Sequence, residues 1–169
     1  MTILRSADFD QVDRQILSEL QRDARLTQRE LGSRVGLTGP AVAERVRRLE
    51  ERGAIVGYRA VVCPEALGYG IQAYVNIALD RNVRGSDVGR ALAQEPEVVE
   101  CHHITGEDCY LLRVCTQDAR SLSRLIDRLT TWGRTRTSLI LGSPIVNKPV
   151  LPAENGVRSL RSTTDLLAD

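Results

Sequence analysis

Apolar positions follow two different rhythms along this chain. From residue 9 to residue 53 they recur every three or four residues. Phe9, Val12, Ile16, Leu17 and Leu20 share one face of a helix predicted over residues 10–21, with acidic residues in its first turn. A second helix is bounded by its own signals. Thr27 and Glu30 form a capping box, Leu26 and Leu31 the matching hydrophobic staple, and Gly36 can end the helix with Leu37 folded back on Leu31. A third is predicted over residues 38–53. Thr38 supplies a capping hydroxyl, Pro40 sits where a missing N–H costs nothing, and Gly53 can take the left-handed terminal conformation. Val42, Val46 and Leu49 give that helix a narrow apolar stripe, and Arg45, Arg47, Arg48 and Arg52 crowd the rest of its circumference. Two short helices meeting across a three-residue turn with a glycine predict a helix-turn-helix. The β-branched run IVGYRAVV that follows predicts a strand beside it, which makes the first 62 residues a winged helix-turn-helix.

The rhythm changes after residues 63–70, where Pro64, Gly68 and Gly70 break both periodicities and mark a hinge. Strands are predicted over 71–79, 98–105, 109–116 and 136–141, and helices over 86–95 and 118–130, the latter with Leu122, Leu125, Ile126 and Leu129 inward. Gly106, Glu107 and Asp108 form a tight turn between the middle strands. The order β-α-β-β-α-β is the split unit of a ferredoxin-like fold, so the fold class is α+β, with the sheet domain over 71–146 and a tail over 147–169. Such a sheet has helices on one face only. Apolar side chains are expected on both faces of 110–114 and 138–141, so a second copy is expected to cover the open face, giving a homodimer.

Composition narrows the class. The 169 residues carry a net charge of +1, with 11 arginines against nine acidic residues in the first 62 and a slight acidic excess in the sheet half. No apolar run is long enough to span a bilayer and no basic-then-apolar leader is seen, so a cytoplasmic protein without membrane contact is expected. Cys63, Cys101, Cys109 and Cys115 lack C-x-x-C spacing and read as reduced core thiols. His102 and His103 are adjacent in a strand and point to opposite faces, so they cannot chelate one ion together, and no metal is expected. P-loop, nucleophile-elbow and H-E-x-x-H signatures are absent, so neither catalytic residues nor cofactors are expected. Trp132 reads as a packing residue.

In a helix-turn-helix the second helix enters the major groove of double-stranded DNA. The groove-facing residues expected here are Thr38, Pro40, Ala41, Glu44, Arg45 and Arg48, with Arg47 or Arg52 nearer phosphates. A guanidinium fork matches guanine O6 and N7 or any phosphate. Thr27 and Gln28, opening the preceding helix, can donate to the DNA backbone. The competing reading is a solvated face in which these arginines pair with Glu44, Glu50 and Glu51 at ordinary helix-surface spacings.

The segments DxxDRQIL, LQRDARLT, ELGSRVGLT and AVAERVRRLEERGAIVGY, then the P-x-x-LG of residues 64–68, resemble the Lrp/AsnC, or feast/famine, family of transcription regulators. ECHHITGEDCYLLRV and the final TRTSLIL resemble that family's effector-binding and dimerisation domain, so the resemblance spans roughly residues 8–146. It implies sequence-specific DNA binding, dimers assembling into tetramers or octamers, and modulation by a small molecule, most often an amino acid. It also places the effector at the turn after the domain's second strand, here Thr105, Gly106, Glu107 and Asp108. A glycine there admits a ligand to the backbone and a carboxylate can hold an α-ammonium, although a plain hairpin turn uses the same residues. Two rivals share the architecture. Siroheme decarboxylases are similar in both domains and would make this an enzyme, and a low-specificity DNA-organising oligomer would need only arginine–phosphate contacts.

Overall fold

The computed structural model describes residues 9–152, which fall into two compact units. The first comprises the chain to Ala60 together with the segment from Ile145, and the second runs from Val61 to Pro144.

The helical unit holds α1 (Gln11–Arg22), α2 (Gln28–Val35) and α3 (Gly39–Glu51). Asp10 caps α1 by accepting the Asp13 N–H, and Thr27 caps α2 in a reciprocal box with Glu30. Gly36, at φ 71°, ends α2 in the left-handed conformation, and Gly53 takes φ 72° just past α3. Ile16, Leu31, Val35, Val42 and Leu49 form the core, and Leu26, Leu37 and Val46 pack against it. Thr38 differs from expectation. It occupies the N-cap position of α3, but its side chain makes no capping hydrogen bond, and Pro40 in the first turn removes one of the N–H groups that would need one.

The expected wing is not a strand. Residues 54–63 join no ladder, and Val56 is 94% exposed, with Val61 and Val62 also in water. Strand propensity alone does not form a strand: backbone N–H and C=O groups need a neighbouring strand, and the described helical unit contains none. After Pro144 the chain returns to this unit. Gln21 grips the Val150 peptide from both sides, its Nε2 donating to the carbonyl at 2.9 Å and its Oε1 accepting the N–H at 2.8 Å. Arg14 donates to the Pro152 carbonyl at 2.8 Å. The expected tail over 147–169 is therefore tied to α1 as far as Pro152, and its remainder lies outside the described residues.

The second unit is β1 (Ile71–Leu79), α4 (Gly85–Leu92), β2 (Val98–His103), β3 (Tyr110–Thr116), α5 (Ala119–Leu129) and β4 (Gly133–Leu139). The sheet order β2-β3-β1-β4, antiparallel throughout, is the ferredoxin-like arrangement. Ala73, Val75 and Ile77 of β1 and Tyr110, Leu112 and Val114 of β3 point to one face, where they join Val88 and Leu92 of α4 and Leu122, Leu125 and Leu129 of α5 in the core. Last-strand pairing begins at Gly133 rather than residue 136. Gly133 lies at φ 149°, and a Cβ there would meet the Ala78 carbonyl oxygen at 2.1 Å, so the close approach that starts β4 requires glycine.

Register places Gln72, Tyr74 and Asn76 of β1 beside Cys115, Arg113 and Leu111 of β3, and Ser138 and Arg136 of β4, on the face away from α4 and α5. That face is more polar than expected. Tyr74 is exposed and Leu111 partly so, but Arg113 donates to Glu100 at 2.8 Å beside them. The thiols also divide differently from expectation: only Cys115 is buried, Cys109 is half-buried, and Cys63 and Cys101 are exposed, all four being free.

Candidate functional site

Helix α3 has a docked side and an open side. Val42 and Leu49 are buried, and Arg45, three residues beyond one and four before the other, shares their side. Its Nη1 donates at 2.7 Å to both Asp10 Oδ2 and Asp13 Oδ1, at the start of α1. The guanidinium expected to reach a base edge is instead turned onto a neighbouring helix. Asp10 is held below the ordinary carboxylate value, chiefly by the Asp13 N–H and also by Arg45.

The open side carries Pro40, Ala41, Arg47 and Arg48, all exposed, with Glu44 partly exposed among them. Arg47 Nε and Nη2 donate to the two Glu44 oxygens at 3.0 and 2.8 Å, and Arg48 Nε donates to Glu44 Oε1 at 3.1 Å. Arg47 Nη1 also pairs with Glu51. These contacts, Arg47 first, hold the Glu44 carboxyl below its usual range, and Glu44 in turn raises Arg47 further. Arg52 stacks over the Phe9 ring, 5.6 Å from its centroid, and Glu50 accepts from the Tyr58 hydroxyl. At the front of α2, the Thr27 hydroxyl is committed to Glu30, donating at 2.7 Å to its carboxylate and accepting its N–H, whereas Gln28 is exposed. Thr38 is exposed at the front of α3.

The turn over residues 104–109 is closed by the Ile104 N–H donating to the Cys109 carbonyl at 2.9 Å, and Gly106 takes φ 125°. Thr105, Gly106 and Glu107 are exposed. Asp108 is 8% exposed and already partnered: its Oδ2 accepts from Asn76 Nδ2 at 2.8 Å and from Arg136 Nη2 at 2.6 Å. Sequence reasoning missed Asn76 and Arg136. They are 60 residues apart in the chain and meet only because β1 and β4 pair with Asn76 opposite Arg136; the alternation of polar residues in each strand was the one available signal.

His102 faces Glu100 at 3.6 Å and His103 lies tilted against the Tyr110 ring at 5.2 Å. Among the described residues no three His, Cys, Asp or Glu side chains are grouped to hold a metal ion, and no helix is long and apolar enough to cross a membrane.

Comparison with known proteins assigns both halves. Residues 9–50 match the AsnC-type helix-turn-helix domain and residues 72–150 the Lrp/AsnC ligand binding domain. The chain is 38% identical over 146 residues to the HTH-type transcriptional regulator LrpA of Mycobacterium tuberculosis, covering 85% of this chain and 97% of that protein. It is 36% identical over 140 residues to the leucine-responsive regulatory protein of Escherichia coli, covering 79% and 85%. The solved structure of a feast or famine regulatory protein from M. tuberculosis complexed with L-methionine superposes with a TM-score of 0.79 at 38% identity, covering 85% of this chain and 99% of that one. The family consists of transcriptional regulators rather than enzymes, which removes the decarboxylase rival. With both domains matched in order over most of its length, the chain belongs to the Lrp/AsnC family of DNA-binding transcriptional regulators.

Proposed function

We propose that this regulator binds a specific DNA sequence through the open side of α3, and that an amino acid bound at the turn over residues 104–109 modulates it. The observation that carries the first part is the exposed Arg47 and Arg48 on a helix whose other side is buried in the helical core. Pro40, Ala41, Glu44 and Arg48 then meet the groove, with Thr38 ahead of them. Arg47 and Arg52 lie nearer phosphates, and Gln28 and the backbone at Thr27 meet the DNA strand alongside. Arg45 acts from behind, by fixing α3 to α1.

The ligand reading rests on Asp108, Asn76 and Arg136. A free amino acid carries both charges that this cluster pairs internally, so its ammonium fits Asp108 and its carboxylate fits Arg136, opening the 2.6 Å ion pair and replacing it on both sides. Exposed Thr105, Gly106 and Glu107 form the mouth. Relatives are named for leucine or seen with L-methionine, which favours an apolar amino acid.

Two recognition helices reading two half-sites need a homodimer, and the aliphatic side chains left in water at Val56, Val61, Val62, Leu141 and Ile145 favour one, with tetramers or octamers built from it. A cytoplasmic site of action follows from DNA as the partner.

One set of measurements tests the reading. Fragments of genomic DNA retained by the protein should bind at least about tenfold tighter than scrambled duplexes of equal length. Adding apolar amino acids singly should shift that affinity for the wild type and not for Asp108→Asn. Equal affinity for retained and scrambled DNA would leave only a low-specificity DNA-organising oligomer, indifference to every amino acid would remove the ligand, and a sedimenting mass of 18.7 kDa would remove the dimer.

A further inference from the structure

The open side of α3 neutralises itself. Glu44, Arg47, Arg48 and Glu51 follow one another at three- and four-residue spacing, two anions and two cations, and the two arginines converge on the same Glu44 carboxylate. A surface meant only to hold phosphates would gain from removing that carboxylate, because DNA presents one negative charge per ~1.7 Å of its axis.

We infer that Glu44 is a specificity-determining residue, which suppresses binding to arbitrary DNA and is compensated only where a base edge offers it a donor. On approach to any duplex, Arg47 and Arg48 must exchange Glu44 for phosphate or base acceptors, and the carboxylate is left facing the phosphate field. Every sequence bears that cost alike. In the major groove the exocyclic amine of cytosine is a donor that a glutamate accepts, and a G·C pair also offers the O6 and N7 acceptors that suit the Arg48 guanidinium one turn further along α3. Repulsion from all sequences and reward at one base pair together give discrimination that arginines alone do not supply. The inference rests on the DNA-binding reading above and adds the residue that makes it selective.

The variant is Glu44→Gln, which keeps the shape and removes the charge. The wild type, Glu44→Gln and Asp87→Asn are titrated against a random-sequence 30-bp duplex pool across a potassium chloride series, and bound sequences are then selected from the pool with each protein. Asp87 is an exposed acid of α4 in the other unit, so Asp87→Asn reports the effect of net charge alone. Glu44→Gln should bind the random pool about three- to fivefold tighter than the wild type. Its log–log salt slope should be steeper by about one phosphate contact, and selection should return sites with one base-pair preference weakened. Asp87→Asn should match the wild type in all three. Random-pool affinity unchanged or weakened in Glu44→Gln, an equal gain in Asp87→Asn, or an intact base preference would each overturn the inference. A wild type that fails to bind the pool at any salt would instead overturn DNA binding itself.

Discussion

Arg45 lies three residues after Val42 and four before Leu49, and a helix puts those three side chains on one side. The side chain is only 31% exposed, and its guanidinium reaches Asp10 and Asp13, an arrangement open to arginine because its aliphatic part tolerates burial. The side chain therefore ties α3 to α1. Arg45→Ala should lower the stability of the helical unit at neutral pH by up to about 1 kcal/mol, the range for a partly exposed pair. The pH dependence has a definite sign. Asp10 is depressed in the folded state, so its contribution is present above the ordinary value of 3.8 and fades as pH falls beneath it through the folded value. Denaturant titrations at pH 7 and in strong acid should show the gap between wild type and Arg45→Ala closing in acid, while the salt slope for DNA at neutral pH stays unchanged. If stability is untouched and one base preference disappears, Arg45 reads DNA after all.

At the scale of elements, the joint between α2 and α3 depends on a glycine inside a helix rather than on the one that ends it. A Cβ on Gly32 would stand 2.5 Å from the Leu37 carbonyl oxygen, and the Gly32 carbonyl accepts from the Leu37 N–H at 2.9 Å, so the turn is folded directly against it. Alanine would gain roughly 1 kcal/mol of helix propensity over glycine. An overlap with backbone, which cannot rotate away, costs more, typically ~1–3 kcal/mol for overpacking. The clash should win: Gly32→Ala is expected to unfold the helical unit at lower denaturant and to weaken DNA binding, whereas Ser33→Ala, exposed one residue on, should do neither. A more stable Gly32→Ala protein would show that the turn yields. The contrast also explains what could be read from the chain. Gly36, Gly53 and the Thr27–Glu30 box are local, each set by residues within a turn of one another, and all three were legible. So were the stripes of α1 and α5 and the order of the sheet. Gly32 resembles any helical residue until the turn folds back on it. Asn76 and Arg136 become partners of Asp108 only through strand register, and the segment from Ile55 to Val62 has the residues of a strand but pairs with none among the described residues. In each case the deciding contact is non-local, and local pattern does not encode it.

The molecule as a whole is two cores of unequal size on one chain. Among the described residues five side chains make the buried centre of the helical unit and eleven that of the sheet unit, and since each fully buried aliphatic contributes about 1.5–3 kcal/mol, the helical unit has less to set against its chain entropy. It should therefore melt first. Two probes separate the units. Helices of 12, 8 and 13 residues in the helical unit, against 8 and 11 in the other, give it most of the far-ultraviolet dichroism. The single tryptophan, Trp132, packs against the sheet core, so its emission reports the second unit alone. On heating, the 222-nm signal should lose most of its amplitude below the temperature at which Trp132 emission shifts. Added DNA, binding only the folded helical unit, should raise the first transition and close the interval between them. The hydrogen bonds from Gln21 to the Val150 peptide belong to the weaker core, so Gln21→Ala should lower the dichroism transition and leave the fluorescence transition in place. One transition common to both probes, moved equally by Gln21→Ala, would mean that the two cores unfold as one.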